Sequence, residues 1–174
     1  MFQHVLIPLD GSARAEVSIE YGVALAKQFG GRVTLLRAVT LVPEGLSGQE
    51  QIDRVRSEQL HSAQTYLEGW AKQAVAKGSA IDVVTLPGDA ARVILTFARE
   101  KGVDTIVLNS HGAGGLTGYV FGSVAGKVVR GAECPVLVLH QRPTPEELRQ
   151  QEEREEAEFD AVMSAALESI GKKG

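Results

Sequence analysis

The sequence predicts an α/β fold: an open five-stranded parallel sheet with helices on both faces, plus a C-terminal helical extension. Three features predict it. Five short apolar runs alternate with segments whose apolar residues recur at helical spacing. The runs are continuous and mainly apolar, as strands buried on both faces are, and such strands belong to parallel sheets. After Gln141 the chain turns into a dense charged run with a weak apolar stripe, so the sheet ends before it.

The first strand is His4 to Leu9, and it ends in Asp10-Gly11-Ser12, a turn and helix-start signal. The helix that follows is expected to pack through Val17, Tyr21, Ala24, Leu25 and Phe29, about one turn apart, and it stops at Gly30-Gly31. Val33 to Val39 is the second strand, left through a loop marked by Pro43, Gly45 and Gly48. The second helix covers about Gln49 to Ala76, with Ile52, Val55, Leu60, Ala63, Leu67, Trp70 and Ala74 on one face. Ile81 to Leu86 is the third strand, stopped by Pro87-Gly88. Asp89 is placed to cap the third helix, whose buried face is Val93, Ile94, Phe97 and Ala98. Thr105 to Leu108 is the fourth strand, followed by a glycine-rich segment, Ser110 to Ser123. A fourth helix from about Ser123 to Gly131 leads to the fifth strand, Pro135 to Leu139.

The chain thus divides into a body, residues 1–140, and a charged extension, residues 141–174. Pro143 and Pro145 end the body. In the extension Phe159, Val162 or Met163, Ala166 or Leu167, and Ile170 make a stripe for a helix that either docks on a protein surface or frays in solvent. The formal net charge of −4 is carried there: the body holds 13 basic and 13 acidic residues, the extension 5 and 9. A neutral body lacks the basic stripe that displaces counterions from nucleic-acid phosphates, which argues against DNA or RNA binding. No apolar run approaches the roughly 20 residues of a membrane span. The single cysteine, Cys134, forbids an intrachain disulfide, and residues 1–10 lack the features of a secretory signal, so a cytoplasmic protein is expected.

In open parallel sheets ligands bind beyond the carboxyl ends of the strands, where strand order reverses. The first and fourth strand ends carry Asp10 and Ser110-His111-Gly112. Glycines there let a backbone approach an anion, and Gly122-Ser123 opens a helix whose free N–H groups attract phosphate. The same residues also suit a surface loop with an ordinary serine N-cap. Two familiar phosphate patterns fail. A dinucleotide fingerprint from Gly112 and Gly114 needs glycine at 117, where Thr117 stands; a P-loop ending at Gly126-Lys127 meets Phe121 and Val128 instead of glycine and Ser or Thr.

Gly112, the nine residues Ala113 to Phe121, and Gly122-Ser123 resemble the second half of the nucleotide motif of the universal stress protein family, in its small ATP-binding form. The motif is glycine, two residues, glycine, nine residues, then glycine and Ser or Thr. Ser110-His111-Gly112, Pro8-Leu9-Asp10 and the closing Cys134-Pro135-Val136-Leu137-Val138 also read like that family, over about residues 2–140. One position departs: the motif's first glycine is Asn109, whose amide either crowds the ribose and phosphates or hydrogen-bonds them. The resemblance implies the adenine-nucleotide fold of the family and a site for ATP, AMP or another adenine nucleotide. Asp10 would then sit near the adenosine with Pro8 and Leu9 as wall, and Ala38 would line the adenine slot. Leu108, Asn109, Ser110, His111 and Gly112 would pass the ribose and phosphates, and Gly122, Ser123 and Val124 would hold the phosphate tail. A Mg or Mn ion would arrive on the phosphates. The family's dimer implies a two-fold contact through Val136, Leu137, Val138 and Leu139.

Other chemistries find less support. Asp10 also suits a helix cap. Ser110, His111 and Asp10 are the residue types of a hydrolase triad, yet Ser110 and His111 are neighbours in a chain with no nucleophile-elbow pattern. His4, His61 and His140 are scattered and mark no metal site. The expected function is a dimeric, cytoplasmic stress-response sensor or regulator that binds ATP and hydrolyses it slowly at most, with no catalytic residue assigned. The alternative is a protein-interaction module of the same fold with weak or no nucleotide binding. A related adenine-dependent enzyme is disfavoured, since neither a His-x-Gly-His nor a Ser-Gly-Gly-x-Asp-Ser element is present.

Overall fold

A computed structural model describes residues 2–40, 49–75, 80–110, 121–140 and Met163. The chain divides into two compact units, residues 1–115 with 120–141 and residues 116–119 with 142–174. The elements that follow belong to the first. Of the second only Met163 is described, in helical conformation and exposed.

In chain order the elements are β1 (His4–Pro8), α1 (Ala13–Gln28), β2 (Arg32–Val39), α2 (Gln49–Val75), β3 (Ala80–Pro87), α3 (Ala90–Glu100), β4 (Thr105–Asn109), α4 (Ser123–Gly131) and β5 (Val136–Leu139). All strand pairs are parallel, in the order β3-β2-β1-β4-β5. The order reverses at β1, where Val5 faces Thr105 and Leu6 faces Ile106 on β4, while His4 to Pro8 pair Arg32 to Leu36 on β2. The expected α/β class and five parallel strands are therefore what the chain forms, and β5 lies at one edge of the sheet.

After His4, β1 is apolar, and the pleat divides these residues and Leu9 between two cores. Val5, Ile7 and Leu9 join the cluster under α1 and α2, whereas Leu6 joins Leu36, Ile94, Phe97 and Val128 under α3 and α4. Asp89 caps α3 as the sequence predicts, with Oδ1 accepting from the Arg92 N–H at 3.0 Å. The buried face of α3 is Ala91, Ile94, Phe97 and Ala98, one residue different from the predicted set, because Val93 is only half-buried.

The face predicted for α1 is corrected. Its buried residues are Ala15, Ser18, Ile19, Gly22, Val23 and Ala26, while Tyr21 is 53% exposed and Phe29, stacked on Phe2 at 5.0 Å, lies outside. The reason is distance. A Cβ at Gly22 would collide with the Ile7 side chain, so α1 approaches β1 through small residues that a search for large apolar ones passes over.

Candidate functional site

Residues that the sequence marked gather at the carboxyl edge of β2, β1 and β4. Beyond Pro8 the backbone makes one more sheet bond, Leu9 N–H to Leu36 O at 2.8 Å, which leads the chain into a turn. The Leu9 side chain is buried under α1 and α2, so its contribution at this edge is backbone. Asp10 is exposed, and Oδ1 accepts from both the Ser12 N–H (3.0 Å) and the Ser12 hydroxyl (2.7 Å). Ser12 Oγ in turn accepts from the Ala15 N–H at 3.2 Å, which makes Ser12 the N-cap of α1. Asp10 therefore orients the cap and is not itself the cap. Between them Gly11 has φ +87°, and a Cβ there would lie 3.1 Å from the Arg37 guanidinium nitrogens.

Asn109 and Ser110 end β4 beside this turn. Asn109 is 8% exposed, and its Nδ2 donates to the Arg14 carbonyl at 3.0 Å, tying β4 to the first turn of α1. Of the two roles the sequence left open for this amide, crowding a ligand or bonding one, the structure shows a third, a brace between strand and helix. Ser110 is 2% exposed, and its bonds include its N–H to Leu139 O (2.8 Å), its carbonyl from Gly122 N–H (2.8 Å) and its Oγ with His140 Nδ1 (3.1 Å). Leu108 points into the α3/α4 core, leaving only main chain at this edge. His111 and Gly112 lie outside the described residues.

The start of α4 differs from the expected serine cap. Gly122 is the N-cap, Ser123 is the first helical residue, and among the described residues no side chain caps the end. Because the Gly122 N–H is committed to Ser110, the main-chain donors that face outward here belong to the first helical turn, Ser123 and Val124, both exposed. These donors and the positive end of the helix dipole suit an anion. Among the described residues no group of three His, Cys, Asp or Glu could hold a metal ion.

Ala38 is half-buried on β2, paired with Leu86, on the other side of β1 from Ser110. Arg37 beside it lies over the Tyr66 ring of α2, 4.9 Å from the centroid. The Tyr66 hydroxyl donates to Glu16 Oε1 at 2.8 Å, and Trp70 Nε1 donates to the same oxygen at 3.2 Å. Burial, and then the bond to Glu16, raises the Tyr66 pKa, so the phenol stays protonated as a donor. Arg37 and His140 were not singled out from sequence. The signal for Arg37 was a lone cation inside an apolar strand. His140 becomes visible only once β4 and β5 are paired in register, with Asn109 opposite Leu139.

The model of the universal stress protein family matches residues 1–140. The universal stress protein YxiE of Bacillus subtilis is 32% identical over 147 residues, covering 80% of this chain and 99% of YxiE. The solved structure of the hypothetical protein MJ0577 superposes with a TM-score of 0.75 at 26% identity, covering 83% of this chain and 99% of that one. A universal stress protein solved in complex with cAMP shares the fold, with a TM-score of 0.59 at 20% identity over 80% of this chain and 98% of its own.

Proposed function

This chain belongs to the universal stress protein family, and from that premise we propose that it binds an adenine nucleotide, ATP above all, across the carboxyl ends of β1 and β4. The observation that carries the reading is the start of α4, which no side chain among the described residues caps. There the Gly122–Ser110 bond holds an exposed helix N-terminus beside the point where strand order reverses. Ser123 and Val124 N–H groups hold the terminal phosphates, Asp10 faces the ribose, and the β2 end at Ala38 receives the base. A protein of the same fold solved with cAMP supports the choice of an adenine nucleotide. A Mg or Mn ion rides on the phosphate oxygens and water, since phosphate supplies the hard oxygen ligands that such ions take.

The protein acts as a cytoplasmic sensor or regulator in the stress response, and any hydrolysis is slow. It works as a homodimer whose two-fold contact runs along Val136, Leu137, Val138 and Leu139 of β5. What supports this is the position of β5 at the edge of the sheet among the described residues, with Leu137 41% exposed. Among the described residues no helix is long and apolar enough to cross a membrane. Titration calorimetry with ATP tests the reading: one site per chain is expected, and no heat at millimolar ATP overturns it.

A further inference from the structure

Arg37 on β2 stands between the turn at Asp10 and the outer helices. Its guanidinium lies 4.9 Å from the centre of the Tyr66 ring, and it packs so close to the turn that a Cβ at Gly11 would come within 3.1 Å of its nitrogens. Among the described residues no acceptor takes its N–H groups. The group opens on a cavity of about 440 Å³ at the end of β2, with Ala38 and Thr40 beside it and Glu58, Gln59 and Ser62 across on α2. Glu58, the acid in that wall, is engaged by Arg54 at 3.0 Å. On the other side of the ring the contacts continue outward. The Tyr66 hydroxyl donates to Glu16 Oε1 at 2.8 Å, Trp70 Nε1 donates to the same oxygen at 3.2 Å, and Glu16 and Trp70 both line a second cleft, of about 550 Å³, between α1 and α2.

We propose that Arg37 takes the ribose hydroxyls of the bound nucleotide, leaving the Tyr66 ring, and that Tyr66, Glu16 and Trp70 carry the change to the cleft between α1 and α2. A nucleotide that closes this edge strips solvent from the guanidinium, and a donor buried without an acceptor is costly. The ribose is the better partner, because a charge-assisted hydrogen bond outweighs a cation–π contact at a ring that is only half-buried. The guanidinium thus has two discrete arrangements, over the ring in the free protein and on the ribose in the complex, and the ligand selects between them. The charge of Arg37 lowers the Tyr66 pKa against the larger effects of burial and Glu16, so its departure makes the phenol a poorer donor. Trp70 shares the same Glu16 oxygen, and its bond then tightens. This inference rests on the nucleotide reading above.

Trp70 is the chain's single tryptophan, so its emission reads the relay directly. Emission and calorimetry are followed together on the full chain, with ATP and with dideoxy-ATP, which lacks both ribose hydroxyls. ATP should shift the emission with the midpoint that calorimetry gives, and saturating dideoxy-ATP should leave it in place. Arg37→Met should cut the preference for ATP over the dideoxy form about fivefold and abolish the shift. Tyr66→Phe keeps the ring and removes the hydroxyl; it should bind ATP within about twofold of the unaltered chain and show no shift. ATP binding without a shift, a shift with dideoxy-ATP, a preference unchanged in Arg37→Met, or a shift that survives either substitution overturns the inference while the nucleotide site stands. Should Arg37→Met fail to fold, the two nucleotides on the unaltered chain still decide. Absence of ATP binding by the unaltered chain overturns the site and the inference together.

Discussion

The carbonyl of Ser110 accepts from the N–H of Gly122 at 2.8 Å, joining the end of β4 to the start of α4. That bond takes the Gly122 N–H, so the donors proposed for a ligand at this end of the helix are those of Ser123 and Val124.

Gly122→Val tests this placement. Gly122 has φ −53° and ψ 157°, a conformation open to any L residue, so the variant should fold with a stability change within about 1 kcal/mol. Its new side chain stands in the proposed phosphate path, and ATP affinity should drop at least about tenfold. Unchanged affinity in a folded variant places the phosphates elsewhere.

Restoring the family's glycine at position 109 should not help. Asn109→Gly removes a buried bond to the Arg14 carbonyl and adds backbone freedom, so stability in urea should fall by about 1–3 kcal/mol. ATP affinity should not rise. A tighter-binding variant of unaltered stability would mean that the asparagine obstructs the ligand and braces nothing.

Gly11→Ala combines a positive φ of +87° with a Cβ that meets the Arg37 guanidinium, at a cost of about 1–3 kcal/mol. Arg37→Ala in the same chain should recover only the steric part. Complete recovery would show that the backbone at Gly11 carries no strain of its own.

His4 gives the fold a pH dependence at the opposite end of the sheet. It is buried, with Nε2 2.8 Å from Thr34 Oγ1 and Nδ1 accepting from Arg32 at 3.1 Å in its neutral form. Burial, then the Arg32 charge, lowers its pKa, against the opposing pull of the Lys101 carbonyl, Asp104 and Asp82. Protons therefore bind the unfolded chain more readily. His4's contribution is full above the ordinary histidine value of about 6.5 and falls as pH drops through that value toward the lower folded one. The urea midpoint should drop more from pH 8 to pH 5 in the unaltered protein than in His4→Gln, and parallel curves would contradict this.

At the sheet edge, Leu137→Asp should place a charge at the proposed two-fold contact and give monomers in light scattering. A dimer that persists must use another surface.

Much of this was legible in the chain. Pattern and punctuation located the strands and helices of the described residues, and Asp89 read correctly as a cap because its helix begins with one local bond. What escaped depended on partners remote in sequence. The inward face of α1 is built from Ala15, Ser18, Gly22 and Ala26, and small residues advertise burial only once Ile7 stands opposite. Ser110 and His140 lie thirty positions apart and meet only through the β4–β5 register. Gly122, with non-helical φ and ψ, stands as N-cap in place of Ser123, and its N–H reaches Ser110 across eleven intervening residues. Arg37 and Gln59 share a wall only when α2 lies over β2.

The central claim is that adenine nucleotide lies across the ends of β1 and β4, and amide NMR of the isotope-labelled chain titrated with ATP tests it most directly. Saturable shifts should concentrate on the amides of Asp10, Ser110, Ser123 and Val124, with Ala38 following at the base end. Shifts confined to other surfaces, or no shifts at saturating ATP, would contradict the account.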